Sequence, residues 1–413
     1  MRNTDIDIEE LLTVLNKRDR EKANNRKPLL TRADQYLVEN INNILKDGYL
    51  DINPRPKYKD GTPAHTLSVN HVVRKYDLSK GEFPISKLRR QAWKTGIREI
   101  FTIYQHPTNV ISEMRDMGVT WWDPWDIGDG TIGQRYGATV KRYDLIHNLI
   151  EDIKKDPYGR RKVVSLWQDT DLKETKGLAP CCFLTIWNVR GEYLDMCMIQ
   201  RSGDMLTASG AGGINEIQYA ALLMMIAKVT GYEPGVFTHF VANEQIYDRH
   251  TENAHELLRR AETLSLIQTT RRQYVPLRVA DRNFDKGGNI LTIRVNNIGK
   301  DIAPGDRALI VDEEMTELIS DFSFYIMAIE NKEDFYDVSL VRITTEEKNK
   351  KSNGEIFHLL KTYEEWDEAG ILKTPQLVLH KEKACGFEDI RLEDFEMVDY
   401  FPIKPQLTFE LGI

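Results

Sequence analysis

The chain has 413 residues, 41% of them hydrophobic and 29% charged, enough apolar material for a sizeable core and enough length for two or three domains. A formal net charge of -8 and a pI near 5.7 lack the basic footprint that broad binding to a nucleic-acid backbone needs, so stable DNA binding is not expected. The charged N-terminus has no apolar signal core, and the run Ala220 to Ala227 is far short of the roughly 20 residues that cross a bilayer, which points to a cytoplasmic location away from membranes.

Residues 1-30 read as a polar extension, either an amphipathic helix around Ile8, Leu11, Leu12 and Leu15 or an arm. A helix is expected at Tyr36, Leu37, Ile41 and Ile44, followed by the turn-rich NPRPKYKDGTPAH. Trp93, Ile97, Ile100, Phe101 and Tyr104 recur at helical spacing. The Gly- and Trp-rich GVTWWDPWDIGDGTIGQRYG reads as loop, and a helix from Tyr143 to Lys155 is stopped by Asp156-Pro157. Lys162 to Trp167 and Phe183 to Ile199 alternate like strands, with VRGE as a turn. Asn215 to Val229 is an almost wholly apolar helix that Gly231 is suited to cap. Residues 266-372 are more charged, carry strand candidates ILTIRV and RALIVD, and read as an insertion or small accessory domain. The core, 31-265, then resumes over 373-413 with LVLH and a closing FELGI. Helices alternating with mixed or antiparallel strands predict an α+β fold.

The four cysteines are Cys181, Cys182, Cys197 and Cys385; adjacent thiols make a poor disulfide framework, and no CxxC or HExxH pattern suggests a metal. If the hairpin turn centres on Gly191, residues whose numbers sum to 382 face one another. Cys181 then lies ~5 Å at Cβ from Arg201. A guanidinium that close favours the thiolate, the reactive form. The competing reading is a small buried hydrophobe, which most free cysteines are. Pro180 before Cys181, and an Arg-Asp pair in RSGD at the end of an otherwise apolar strand, favour the nucleophile.

PCCF, IQRSGDM, GGINEIQYAALL and NEQIYDRH, in that order, resemble the thymidylate synthase family. Upstream DGTPAHTLSV, AWKTGIREIFTIYQ, GVTWWDPW, DGTIGQRYG and DPYGRRKVVSLW match it in the same order, as do LEDFEMVDY and FELGI at the end. The resemblance covers roughly 50-262 and 374-413. It implies transfer of a one-carbon unit from 5,10-methylenetetrahydrofolate to C5 of dUMP, giving dTMP and dihydrofolate. Cys181 would add to C6, Arg201 would activate it and bind phosphate, Glu99 would manage protons at O4 and C5, and Tyr136 would assist proton removal.

By the same resemblance Arg160 and Arg161 reach the nucleotide phosphate of a partner subunit, which implies a homodimer with shared sites, and forked guanidinium donors suit that task. Ser202 and Arg55 would be further phosphate contacts. Asn215 would read uracil, since an amide both donates and accepts where cytosine-specific relatives carry aspartate. Gln245 and Tyr247 fall at the ribose. Asp204, Trp122, Trp125, Lys87 and Ile413 fall on the folate side, and no metal is implied. Four departures stand out: Cys182 and Gln245 each replace a customary histidine, LTASGAGG is longer and smaller than usual, and the Gly412-Ile413 tail is unusual. A related deoxyuridylate hydroxymethylase, and a silent nucleotide- or RNA-binding relative, are the competing readings; Trp122 favours the synthase because an aromatic wall excludes water.

Overall fold

The computed structural model describes residues 28-279, 290-299, 302-343, 351-410 and 412. The N-terminal helix considered around Ile8 to Leu15, and Ile413, lie outside the described residues. The chain divides into two compact units, Leu30–Ala261 with Lys373–Ile413, and a second built on Glu262–Leu372.

The first unit is α+β. Helix α1 (Arg32–Asp47) starts at Thr31, whose hydroxyl accepts from the Asp34 N–H while the Asp34 carboxylate accepts from the Thr31 N–H, and it buries Leu37, Ile41 and Ile44. A seven-stranded sheet follows, ordered β1 (Tyr49–Leu50), β2 (Thr66–Asp77), β7 (Glu233–Tyr247), β5 (Tyr193–Gln200), β4 (Cys182–Arg190) and β3 (Val163–Ser165), with β6 (Gly203–Asp204) on β7. It is mixed, since β5 and β6 run parallel to β7 and the other pairs are antiparallel. Helix α5 (Ile214–Thr230) is buried nearly all round, as its apolar sequence requires, and ends at Gly231 in the left-handed region (φ 82).

Two expectations are corrected in detail, and a third gains a neighbour. The helix that opens at Trp93 is α-helical only over α2 (Trp93–Ile100) and continues as a wider π-turn, Phe101–Gln105. The helix expected from Tyr143 to Lys155 is found as α4 (Leu145–Lys155), and an unexpected helix, α3 (Gly137–Tyr143), precedes it across a break at Asp144 with φ 49. The turn between β4 and β5 is Gly191-Glu192 rather than centred on Gly191, so the hairpin body is one residue out of the expected register, with Arg190 opposite Tyr193 and Leu184 opposite Ile199. A bulge between Cys182 and Leu184 then shifts the pairing back.

Helix α6 (Thr251–Gln273) carries the chain into the second unit. Here a five-stranded sheet is ordered β8 (Tyr274–Val279), β10 (Arg307–Asp312), β11 (Leu318–Asn331), β12 (Tyr336–Arg342) and β9 (Ile290–Val295), so ILTIRV and RALIVD are its strands β9 and β10. Only β8 and β10 pair in parallel. One apolar cluster gathers Leu277, Ile293, Ile310, Phe324 and Leu340. A second packs Ile356 and Leu360 of α7 (Asn353–Glu368) with Leu309 and Val311. The first unit is completed by the pair β13 (Gln376–Leu379) and β14 (Phe395–Val398).

Candidate active site

The bulge decides the position of Cys181. By restoring the pairing of Cys182 with Gln200, it leaves the Arg201 N–H donating to the Cys181 carbonyl at 3.0 Å. Arg201 Nη2 comes 3.6 Å from Cys181 Sγ, while Nε and Nη2 also donate to the carbonyls of Pro180 (3.0 Å) and Ala179 (2.8 Å). The guanidinium is therefore anchored, not swinging. The expected thiolate bias is corrected: burial pushes the Cys181 thiol up, and the opposing pull of Arg201 is the smaller effect. Cys182 is buried deeper, its pKa driven well above the ordinary thiol range, and its Sγ–H donates to Gln200 Oε1 at 3.3 Å.

Tyr136 sits directly behind the nucleophile candidate and accepts from the Cys181 N–H at 3.1 Å. Its backbone has φ 47 and ψ -110, a costly conformation for a residue with a Cβ, and its ring meets Trp122 edge-on at 4.9 Å. Trp122 Nε1 donates to Glu99 Oε1 at 2.5 Å, and Gln218 Nε2 donates to the other oxygen. Burial nevertheless raises Glu99 to about 7, with Trp122, Gln218 and Trp121 opposing it. Trp125 is half-buried against the same core.

Asn215, at the start of α5, donates through Nδ2 to Gln218 Oε1 (3.0 Å) and accepts from Gln200 Nε2 (3.3 Å). Gln200 Nε2 also holds the Ser202 carbonyl at 3.0 Å. Asp204 follows on β6, which pairs Asp204 with Gln245. Burial raises the Asp204 carboxyl, opposed by His250, whose Nδ1 lies 3.8 Å away. Tyr247 is buried, and its pKa is pushed up to about 12, chiefly by burial, while Arg55 on the 53-65 loop pulls the other way. The tail lies close to Tyr247, because a Cβ on Gly412 would fall 2.7 Å from its ring. It is tied down by Arg249, which bridges Glu410 (2.8 Å) and Asp60 (2.7 Å), and by the Glu410 carbonyl on His250 Nε2 at 2.7 Å.

Two groups of residues stand apart. Arg160 and Arg161 are exposed just before β3, and neither is ion-paired with a carboxylate among the described residues. Lys87 does not suit a solvated folate tail: it is buried, the Asp34 charge opposes its desolvation, and its ammonium donates to the Lys373 carbonyl at 3.3 Å. Arg89, two residues on, packs over Phe409 at 4.6 Å, and the Asp204 charge acts on its guanidinium. Sequence reasoning missed Arg89, Gln200, Gln218, His239 and Arg249. Gln218 had a visible signal, a polar residue one helical turn after Asn215 on an apolar helix.

The thymidylate synthase family model matches residues 34–281. This chain belongs to the thymidylate synthase family. A thymidylate synthase of Lactococcus lactis subsp. cremoris is 49% identical over 237 residues, 56% of this chain and 84% of the relative, and one from Streptococcus pneumoniae is 48% identical over the same spans. Among solved structures, thermostable thymidylate synthase A from Bacillus subtilis superposes with a TM-score of 0.59 at 24% identity, covering 92% of this chain and 99% of that one, a likeness of fold. As a family member the chain is a folate-dependent methyltransferase of the thymidylate synthase type. No helix among the described residues is long and apolar enough to cross a membrane, and no group of three His, Cys, Asp or Glu there could hold a metal ion.

Proposed function

We propose that this enzyme converts dUMP to dTMP with 5,10-methylenetetrahydrofolate as co-substrate, through a covalent bond from Cys181 Sγ to C6 of the base. The observation that carries the reading is Arg201 Nη2 beside Cys181 Sγ at the bulged end of the hairpin, with the Asn215-Gln218-Glu99 chain on α5 and α2. Addition of the thiolate to C6 moves electrons to C5 and O4. The Glu99 carboxyl, poised near neutrality, exchanges protons there through water. Tyr136, hydrogen-bonded to the Cys181 N–H, assists loss of the C5 proton. Arg201, Ser202 and Arg55, with Arg160 and Arg161 supplied across a homodimer, hold the phosphate, while Gln245 and Tyr247 meet the ribose.

The folate side would be formed by Asp204, Trp122, Trp125 and the tail through Ile413. Its donor set fits a polar heterocycle: a carboxyl of raised pKa lies 3.8 Å from the buried His250 Nδ1, its charge acts on the buried Arg89 guanidinium, and neither His250 Nδ1 nor Arg89 Nε has a hydrogen-bond partner among the described residues. The folate supplies the one-carbon unit and the hydride; the chain's own part is to orient both partners and keep water out.

Incubation with dUMP and methylenetetrahydrofolate tests the reading. Dihydrofolate absorbance should rise in step with dTMP, and hydroxymethyl-dUMP with tetrahydrofolate would overturn it. Cys181→Ser should abolish product while dUMP binding persists, and surviving turnover would remove Cys181 from the mechanism.

A further inference from the structure

We infer that His239, held by Arg74, sets the direction of the amide relay through Asn215 and so makes the site select uracil over cytosine. The inference rests on the proposed reading that Asn215 reads the base.

Arg74 on β2 and His239 on β7 are direct cross-strand partners, and both are fully buried. Arg74 Nε donates to Glu216 Oε1 and Nη1 to Glu244 Oε1, both at 2.6 Å, while Nη2 reaches the Ser209 carbonyl at 2.7 Å. Tyr76 Oη and the Gly212 N–H, each 2.7 Å away, donate to Glu216 Oε2, and Asn40 Nδ2 donates to Glu244 Oε2 at 3.0 Å. Such a cluster in a core needs a reason, because apolar residues of similar volume are commonly no less stable. None of these groups carries a step of the reaction proposed above.

The cluster reaches the site through His239. Arg74 Nη2 lies 2.9 Å from His239 Nδ1, and a guanidinium has only donors, so Nδ1 must offer its lone pair. Glu216 Oε1 lies equally near Nδ1 and keeps a second lone pair, but a proton there would leave Nε2 as an acceptor facing Gln200 Oε1, an oxygen that the bond from Gln200 Nε2 to the Ser202 carbonyl turns toward the ring. A second ring proton is disfavoured, since burial and the Arg74 charge depress the His239 pKa to about 4. The single proton therefore sits on Nε2, which lies 3.0 Å from Gln200 Oε1.

From there every amide passes the direction on. Gln200 Oε1 accepts from His239 and from Cys182 while the Ser202 carbonyl holds Gln200 Nε2, so Gln200 Nε2 donates to Asn215 Oδ1; Asn215 Nδ2 donates to Gln218 Oε1, and Gln218 Nε2 donates to Glu99. Reversing one amide would set two carbonyls or two amino groups face to face. The relay is thus pinned by an N–H at His239 and the Ser202 carbonyl at one end and by a carboxyl at Glu99 at the other. Uracil offers an N3–H and an O4 acceptor, whereas cytosine offers an N3 acceptor and an amino group. An Asn215 amide turned the other way would complement the wrong base.

The test labels the nine histidines with 15N in the full-length protein and reads ring tautomers by long-range 15N–1H spectra, the His239 signal being assigned by its loss in His239→Gln. A neutral ring with its proton on Nε2 is expected; a proton on Nδ1 overturns the inference. Calorimetry with dUMP and dCMP supplies the second arm. His239→Phe should lose at least about tenfold of the preference for dUMP, the worth of one hydrogen bond, and His239→Gln, which keeps a donor, should recover most of it. An unchanged preference in a folded His239→Phe protein also overturns the inference, and if that variant does not fold, the tautomer decides. A wild-type protein that binds dUMP no better than dCMP would instead remove the base-reading role of Asn215, whatever the tautomer.

Discussion

Replacing Glu99 by Gln isolates the cost of burying a carboxyl to which the proposed reaction assigns proton exchange. Burial raises Glu99 to about 7 against an ordinary 4.5, a gap worth about 3.5 kcal/mol at ~1.4 kcal/mol per pH unit. The folded state holds a proton that the unfolded chain has released. The stabilisation is therefore fully present below about 4.5 and is lost as pH rises through about 7. Gln does not titrate, and the other ionisable groups are common to both proteins. The stability difference, wild type minus Glu99→Gln, should fall by about 2.5 kcal/mol between pH 5 and pH 8.5. Urea unfolding of both proteins at one fixed protein concentration measures it. The same variant should lose at least about a hundredfold in kcat at every pH, the usual worth of a general acid-base group. A stability difference that stays flat from pH 5 to pH 8.5 would refute the burial argument.

Two further substitutions probe the frame of the site. Arg74→Met leaves Glu216 and Glu244 buried without their cation and should cost about 3–5 kcal/mol in urea unfolding; replacing both glutamates by apolar residues in the same protein should restore most of it. Arg249→Ala cuts the tail at Glu410 from the loop at Asp60 and Thr62, so the KM for folate should rise several-fold, with far-UV dichroism and the unfolding midpoint little changed. An unmoved KM would show that this clasp has no part in folate binding.

The sequence made the apolar elements legible and hid those that bury polar groups. Helix α5 and the β4-β5 hairpin could be read because their periodicity is clean. Strands β2 and β7, the longest pair in the first unit, went unread. Arg74, His239 and Glu244 occupy inward positions where alternation expects hydrophobes, and His71, with φ 61, interrupts the ladder of β2. The same hidden groups explain why the candidate site was read only in part. Motif order pointed to Cys181, Arg201, Glu99 and Asn215, but Gln200 was passed over inside IQRSGDM, His239 lies outside the quoted motifs, and both matter only through what they touch.

The Cys181-Arg201 contact illustrates how a right answer can rest on two compensating details. A hairpin folded in one uniform register from its observed turn would put Cys181 one residue out of step with Arg201. The bulge cancels that offset, and a one-residue slip is what would otherwise turn a side chain to the opposite face. The bulge thus places the thiol beside the guanidinium while the body of the hairpin keeps Trp187 and Met198 in the core. Arg201 in turn spends donors on the carbonyls of Pro180 and Ala179, which fixes it where a lysine, with a single mobile ammonium, would not be held. Because burial still outweighs its charge at Sγ, the proposed role of Cys181 as nucleophile rests on this fixed geometry and not on a thiol that is acidic in its own right.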